Sequence, residues 1–86
     1  MSERDPLLVE RQKTHGDFSD HARITQALKA IMVKNGQHGL CPEHQESLDM
    51  IVHKIGRILA GNPIFHDHWD DIAGYAKLGA EACGPR

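Results

Sequence analysis

The sequence predicts an all-α protein: a small helical bundle of three main helices preceded by a short N-terminal one. Three observations carry this. Apolar residues recur three and four apart in the long segments, the segments open on a capping residue or proline and end near glycine or asparagine, and no stretch alternates with period two, so no strand is expected.

Asp5 before Pro6 reads as a cap and first helical position, opening a short helix through about Gln12 anchored by Leu7 and Leu8. Thr14-His15-Gly16-Asp17 breaks it. The next helix starts near Asp17 or Ser19 and runs to about Lys34, with Ile24, Ala27, Leu28 and Ile31 as its apolar stripe. Asn35-Gly36-Gln37-His38-Gly39 stops it, Gly36 being suited to a left-handed position. Pro42 opens the third helix, which continues to about Ala60 and carries Leu48, Ile51, Val52, Ile55, Ile58 and Leu59 on one arc. After the Gly61-Asn62-Pro63 turn the last helix is under way by Asp67, with a core stripe of Trp69, Ile72, Ala73, Ala76 and Ala80.

The 86 residues form a single domain, 1–86, with 1–5 and 84–86 expected as frayed tails. Folding at this length buries only about 60 to 65% of the unfolded chain's surface, so the bundle is expected to be completed by dimerisation. A formal charge of −2 with scattered basic residues argues against a nucleic-acid or membrane partner. Runs such as Met50-Ile51-Val52 are too short to span a bilayer, and no apolar segment follows Ser2-Glu3-Arg4-Asp5 as a secretory signal would require. Cys41 and Cys83 fit neither a zinc ribbon nor a disulfide scaffold and read as reduced thiols of a cytoplasmic protein. The seven histidines form no clustered metal signature; His66 and His68, two apart on a helix, point in different directions.

The candidate chemistry lies between Glu46 and Asp71. Glu46, Asp49 and His53 sit beside the apolar arc of the third helix, and Asp67 and Asp71 share a second face of the fourth, where Asp70 instead falls on the solvated side with Lys77 and Glu81. Antiparallel packing would let the two acid pairs converge into a cradle for Mg²⁺ or Mn²⁺, with Gly56 and Gly74 set among them. The alternative is that each acid is a solvated residue or, as for Asp67, a helix-dipole partner. His53, one turn after Asp49, can serve as a ligand, as a proton shuttle or, the reading preferred, as the partner that holds Asp49. Lys54 and Arg57 are candidates to neutralise a phosphate, although Lys54 falls on the side away from Asp49 and serves there across a dimer interface or at the surface. The Thr14–Phe18 loop either brings backbone amides to an anion at a helix start or is a simple loop and cap plugged by Phe18. Tyr75 and Trp69 can stack a base, with Trp69 better placed for the core.

Four segments carry a family resemblance: Thr14-His15-Gly16-Asp17-Phe18-Ser19-Asp20, Leu48-Asp49-Met50-Ile51-Val52-His53-Lys54-Ile55, Gly61-Asn62-Pro63 and Asp67-His68-Trp69-Asp70-Asp71-Ile72-Ala73-Gly74-Tyr75-Ala76. Across about residues 10 to 82 the chain resembles small phage and prophage proteins similar to the all-alpha MazG-like nucleoside triphosphate pyrophosphohydrolases. The resemblance implies Mg²⁺ bound by an E-x-x-E helix and an E-x-x-D helix, release of pyrophosphate from a nucleoside triphosphate, and a homo-oligomer, dimer or tetramer. Carried over, Glu46-x-x-Asp49 stands for the first pair and Asp71 for the terminal aspartate, while His68 stands where the second glutamate belongs and Asp67 is the nearest acid. Glu46 and Asp49 are then the expected catalytic residues, Glu46, Asp49, Asp67 and Asp71 the metal ligands, and Lys54, Arg57, Asp17 and Tyr75 the substrate-binding residues. The competing expectation is a non-catalytic, phage-derived helical dimerisation module that keeps the scaffold without the activity. An HD-type phosphohydrolase, suggested by His66-Asp67, lacks its further His and Asp ligands.

Overall fold

The computed structural model describes residues 5–86, so residues 1–4 of the expected N-terminal tail lie outside the described range. Helix α1 spans Pro6–His15, α2 Phe18–Lys34, α3 Pro42–Ala60 and α4 His66–Glu81. Local chemistry sets their starts. Asp5 accepts a hydrogen bond from the Leu7 amide at 2.8 Å and Asp17 one from the Ser19 amide at 2.8 Å, each satisfying a donor that the helix itself leaves unpaired. Asp17 is therefore the cap of α2. Gly36, at φ +94°, turns the chain out of α2 into a 3-10 turn, Gln37–Gly39, which the sequence pattern does not announce. Helix α1 runs three residues beyond its expected end at Gln12 because the Gly16 amide, donating to the Gln12 carbonyl, closes one more turn.

Helix α3 is the centre of the fold, packed against α2 on one side and α4 on the other. Toward α2 it presents Asp49, His53 and Gly56, which meet Gln37, Lys29 and the His21–Thr25 turn. Toward α4 it presents His44, Ser47 and Lys54, which meet Gly79 and Asp71. Both pairings run antiparallel. Because the flanking helices sit on opposite sides of α3, the three form a layer and not a closed bundle.

The two connecting corners lock together. The Thr14 carbonyl accepts from the Asn62 amide at 3.1 Å and from His68 Nε2 at 2.8 Å, and His68 is 2% exposed. Gly16 and Gly61 touch back to back: a Cβ on Gly16, already at φ +81°, would lie 2.1 Å from the Ala60 carbonyl oxygen. Three of the four segments that carry the resemblance contribute here, and the contact they make is a backbone clasp that pins α1 across the ends of α3 and α4.

At about 100° per residue, Leu48, Val52, Ile55 and Leu59 lie on one face of α3, between the sides taken by α2 and α4, and Glu46 and Arg57 lie on the other. Antiparallel packing carries Ile24, Leu28 and Ile31 of α2 and Trp69, Ile72 and Ala76 of α4 to the same apolar side. The groove lined by Leu48, Ile51 and Ala76 lies on that side, and the groove lined by Glu46, Tyr75 and Leu78 on the other. The stripes read from sequence are thus real, but much of what they present is uncovered: Ile31 is 60% exposed, Leu59 65% and Trp69 54%. Trp69, expected in the core, lies at the edge of this face with its indole N–H donated to the Pro63 carbonyl. Among the described apolar residues only Val52 is fully buried.

Gly56 and Gly74, alike in sequence, differ in their surroundings. A Cβ at Gly56 would lie 2.5 Å from Thr25 Cγ2 and 2.8 Å from His21 Nδ1, whereas one at Gly74 would meet nothing within 4 Å. Gly56→Ala is expected to destabilise by about 1 to 3 kcal/mol through overpacking, and Gly74→Ala to stabilise by roughly 0.5 to 1 kcal/mol through helix propensity. Urea titration of both variants checks the opposite signs.

Candidate functional site

The acids expected to converge are distributed among separate partners. Asp49 faces α2 and accepts from Gln37 Nε2 at 2.6 Å. Asp71 pairs with Lys54 across the α3–α4 seam at 2.9 Å, the lysine side chain 8% and the aspartate 48% exposed. Glu46 borders a groove with Glu43, Tyr75 and Leu78. Asp67 stands exposed in the first turn of α4, the place where a carboxylate complements the helix dipole. Among the described residues no three His, Cys, Asp or Glu side chains gather closely enough to hold a metal ion. Asp70, read as surface, is exposed and pairs with His66 at 2.7 Å.

Two side chains play parts other than those expected. His53 does not hold Asp49; its Nε2 accepts from Lys29 Nζ at 3.0 Å, an arrangement that requires a neutral imidazole, and burial followed by the Lys29 charge lowers its pKa. Lys54 does not stand at the surface of the chain: it is buried against Asp71. The Lys54 hydrogen bond is the main reason that the Asp71 carboxyl titrates below the usual aspartate value. Tyr75 packs at the α3–α4 seam, bordering grooves on both sides of it.

On the polar side of α3, where α1 crosses, the structure forms a cleft of about 380 Å³ lined by Arg11, His15, His21, His53, Arg57 and Phe18 together with Leu8, Gln12 and Gly16. Among the described residues no carboxylate lines it. Burial and then the Arg57 charge lower the pKa of His15 to about 4, and the same two causes, in that order, lower that of His21. Burial and then Arg11 lower the pKa of Arg57, with Asp71 opposing. Of these residues, sequence reasoning singled out His53, Arg57 and the Thr14–Phe18 loop but missed Arg11 and His21. The signal was there: Arg11 with His15 and His53 with Arg57 are both four apart, so each pair shares one helix face.

These shifts fix a pH dependence. His15, His21 and His53 bind fewer protons folded than unfolded, so their contribution is complete above the unfolded value of about 6.5 and declines as pH falls toward 4. Asp71, depressed by Lys54, adds a further loss below 3.8 as it protonates. Urea denaturation at pH 7, 5.5 and 4.5 is expected to give steadily falling stability, with a shallower fall in His15→Gln; a flat profile would contradict the assignment.

No curated protein and no solved structure matches the chain. No helix among the described residues is long and apolar enough to cross a membrane. The model of one family does match, over residues 4–83, and the chain therefore belongs to the family described as a domain of unknown function, DUF6378.

Proposed function

We propose that this chain is a helical self-association module that acts as a homodimer, closing its apolar face against a second copy of itself. The observation that carries the reading is the shared uncovered side of α2, α3 and α4. Soluble domains bury such stripes between two layers, and this chain supplies one. The dimensions agree: the radius of gyration is 15.0 Å, against about 12 Å for a compact chain of this length. The accessible surface is 6335 Å², against about 5,100 Å² for a folded monomer of this mass. The excess of roughly 1,200 Å² per copy corresponds to about 2,400 Å² in a dimer, within the range of permanent interfaces.

Sedimentation at micromolar concentration is expected to give a dimer, and Leu59→Glu to shift it to monomer with a large drop in melting temperature. In a protein that works as a monomer the same change, at a position 65% exposed, would alter stability by no more than about 0.5 kcal/mol. A stable wild-type monomer overturns the reading.

A second reading follows the resemblance to MazG-like enzymes: binding or hydrolysis of a nucleoside triphosphate with Mg²⁺ or Mn²⁺ held by Glu46, Asp49, Asp67 and Asp71. It is favoured by Asp71, whose carboxylate is kept ionised by Lys54 with Arg57 nearby. Within one protomer the four acids do not fit a magnesium site, because Asp49 turns to Gln37 on the far side of α3 from Asp71. The association reading expects Mn²⁺ and Mg²⁺ to leave the melting temperature unchanged, with no pyrophosphate released from a panel of nucleotides. A metal-dependent rise that disappears in the Asp49→Ala, Asp71→Ala double variant would select the second reading instead.

A further inference from the structure

We propose that the cleft between α1 and α3 is a binding site for a small organic phosphate, a phosphate dianion attached to a flat apolar group. Its place in the fold sets it apart from the apolar face and from the four candidate metal ligands, and it shares Arg57 with the phosphate-binding residues of the second reading above. It opens on the face of α3 opposite Leu48, Ile55 and Leu59, and none of the four candidate metal ligands lines it.

Charge argues for the anion. Arg11 and Arg57 approach from two helices, and neither guanidinium has an ion pair or hydrogen bond to a side chain among the described residues. Guanidinium groups present planar forks suited to phosphate oxygens. With both guanidiniums in its wall and no carboxylate lining it among the described residues, the cleft concentrates positive potential that an anion relieves. Burial and the proximity of Arg11 disfavour the charged form of Arg57, and a bound dianion reverses the second effect.

Shape argues for the apolar group. Phe18 is 76% exposed at the rim and lies nearly parallel to the His21 ring, their centroids 6.3 Å apart at 29°. Leu8 supplies a second apolar surface from α1. An exposed phenyl beside a cationic cleft offers a stacking surface whose use for a ligand is independent of the guanidiniums. The volume, about 380 Å³, lies in the range of small-ligand pockets.

Isothermal titration of the full chain in EDTA, at fixed ionic strength, tests this with phenyl phosphate and inorganic phosphate as probes. Phenyl phosphate is expected to bind more tightly than inorganic phosphate. Arg11→Gln and Arg57→Gln should each weaken phenyl phosphate by about tenfold or more, the loss expected for one charge-assisted contact. Phe18→Ala should weaken phenyl phosphate and leave inorganic phosphate unchanged, and Lys77→Gln, at an exposed position on α4, should change neither. Circular dichroism verifies folding of each variant; if Arg57→Gln is unfolded, Arg11→Gln, at an exposed residue, carries the test. Absence of binding, or affinity for phenyl phosphate unchanged in the folded arginine variants, overturns the proposal. Equal affinity for the two probes does so as well.

Discussion

The controlling constraint is that α3 has neighbours on two opposite sides and a third, apolar side between them. A helix whose flanks are taken by α2 and α4 still has a front and a back. Here the back is polar, with Glu46 and Arg57, and the front is apolar, with Leu48, Ile55 and Leu59. Nothing else in the described chain covers the front: α1 is held at the end of the layer by the clasp on the Thr14 carbonyl. The sparse interior follows, since a single layer offers few positions enclosed on every side, and most of those are polar: Thr25, Gln37, Ser47, Lys54 and His68.

Those buried polar groups make the layer specific. Lys54 meets Asp71, His68 meets the Thr14 carbonyl, Gln37 meets Asp49 and His44 donates to the Gly79 carbonyl at 2.9 Å. Each bond ties a particular turn of one element to a particular turn of another, so a slip of one helix along its neighbour leaves a buried donor or acceptor unpaired. Apolar contacts are less demanding of register. The helices are thus aligned by polar pairs within the chain, and its apolar face is left uncovered by the described residues.

Most of the fold was legible in the sequence because helix ends are local chemistry. Pro42 and Gly61 bracket α3 where expected, Asp17 caps α2, and the 3.6-residue period identified the stripes correctly. The 3-10 turn was not legible, since Gln37-His38-Gly39 reads as plain loop and its order comes from Gln37 reaching Asp49 and the Gln45 carbonyl. The stripes also could not declare what they face. Trp69 looks the same to a pattern whether it packs inside its own chain or stands at the edge of an open face.

The candidate site was less legible for a related reason. Spacing shows which residues share a face of one helix but not which neighbour that face meets. Asp49 and Lys54 are five apart and point to opposite sides, as the spacing predicts. What spacing could not supply is that α2 occupies the Asp49 side, so that the nearest groups there are Gln37 and Lys29 and not the acids of α4. The cationic cleft needs both α1 and α3, brought together by Gly16 and Gly61 at a contact that no linear motif encodes. The most direct measurement of the central claim, that the apolar front is covered by a second copy, is an isotope-filtered NOE experiment on a mixture of ¹³C-labelled and unlabelled chains. Intermolecular NOEs from the methyls of Ile31, Leu48, Ile55 and Leu59 are the predicted result, and their absence in a folded sample at the concentrations used for spectroscopy would contradict it.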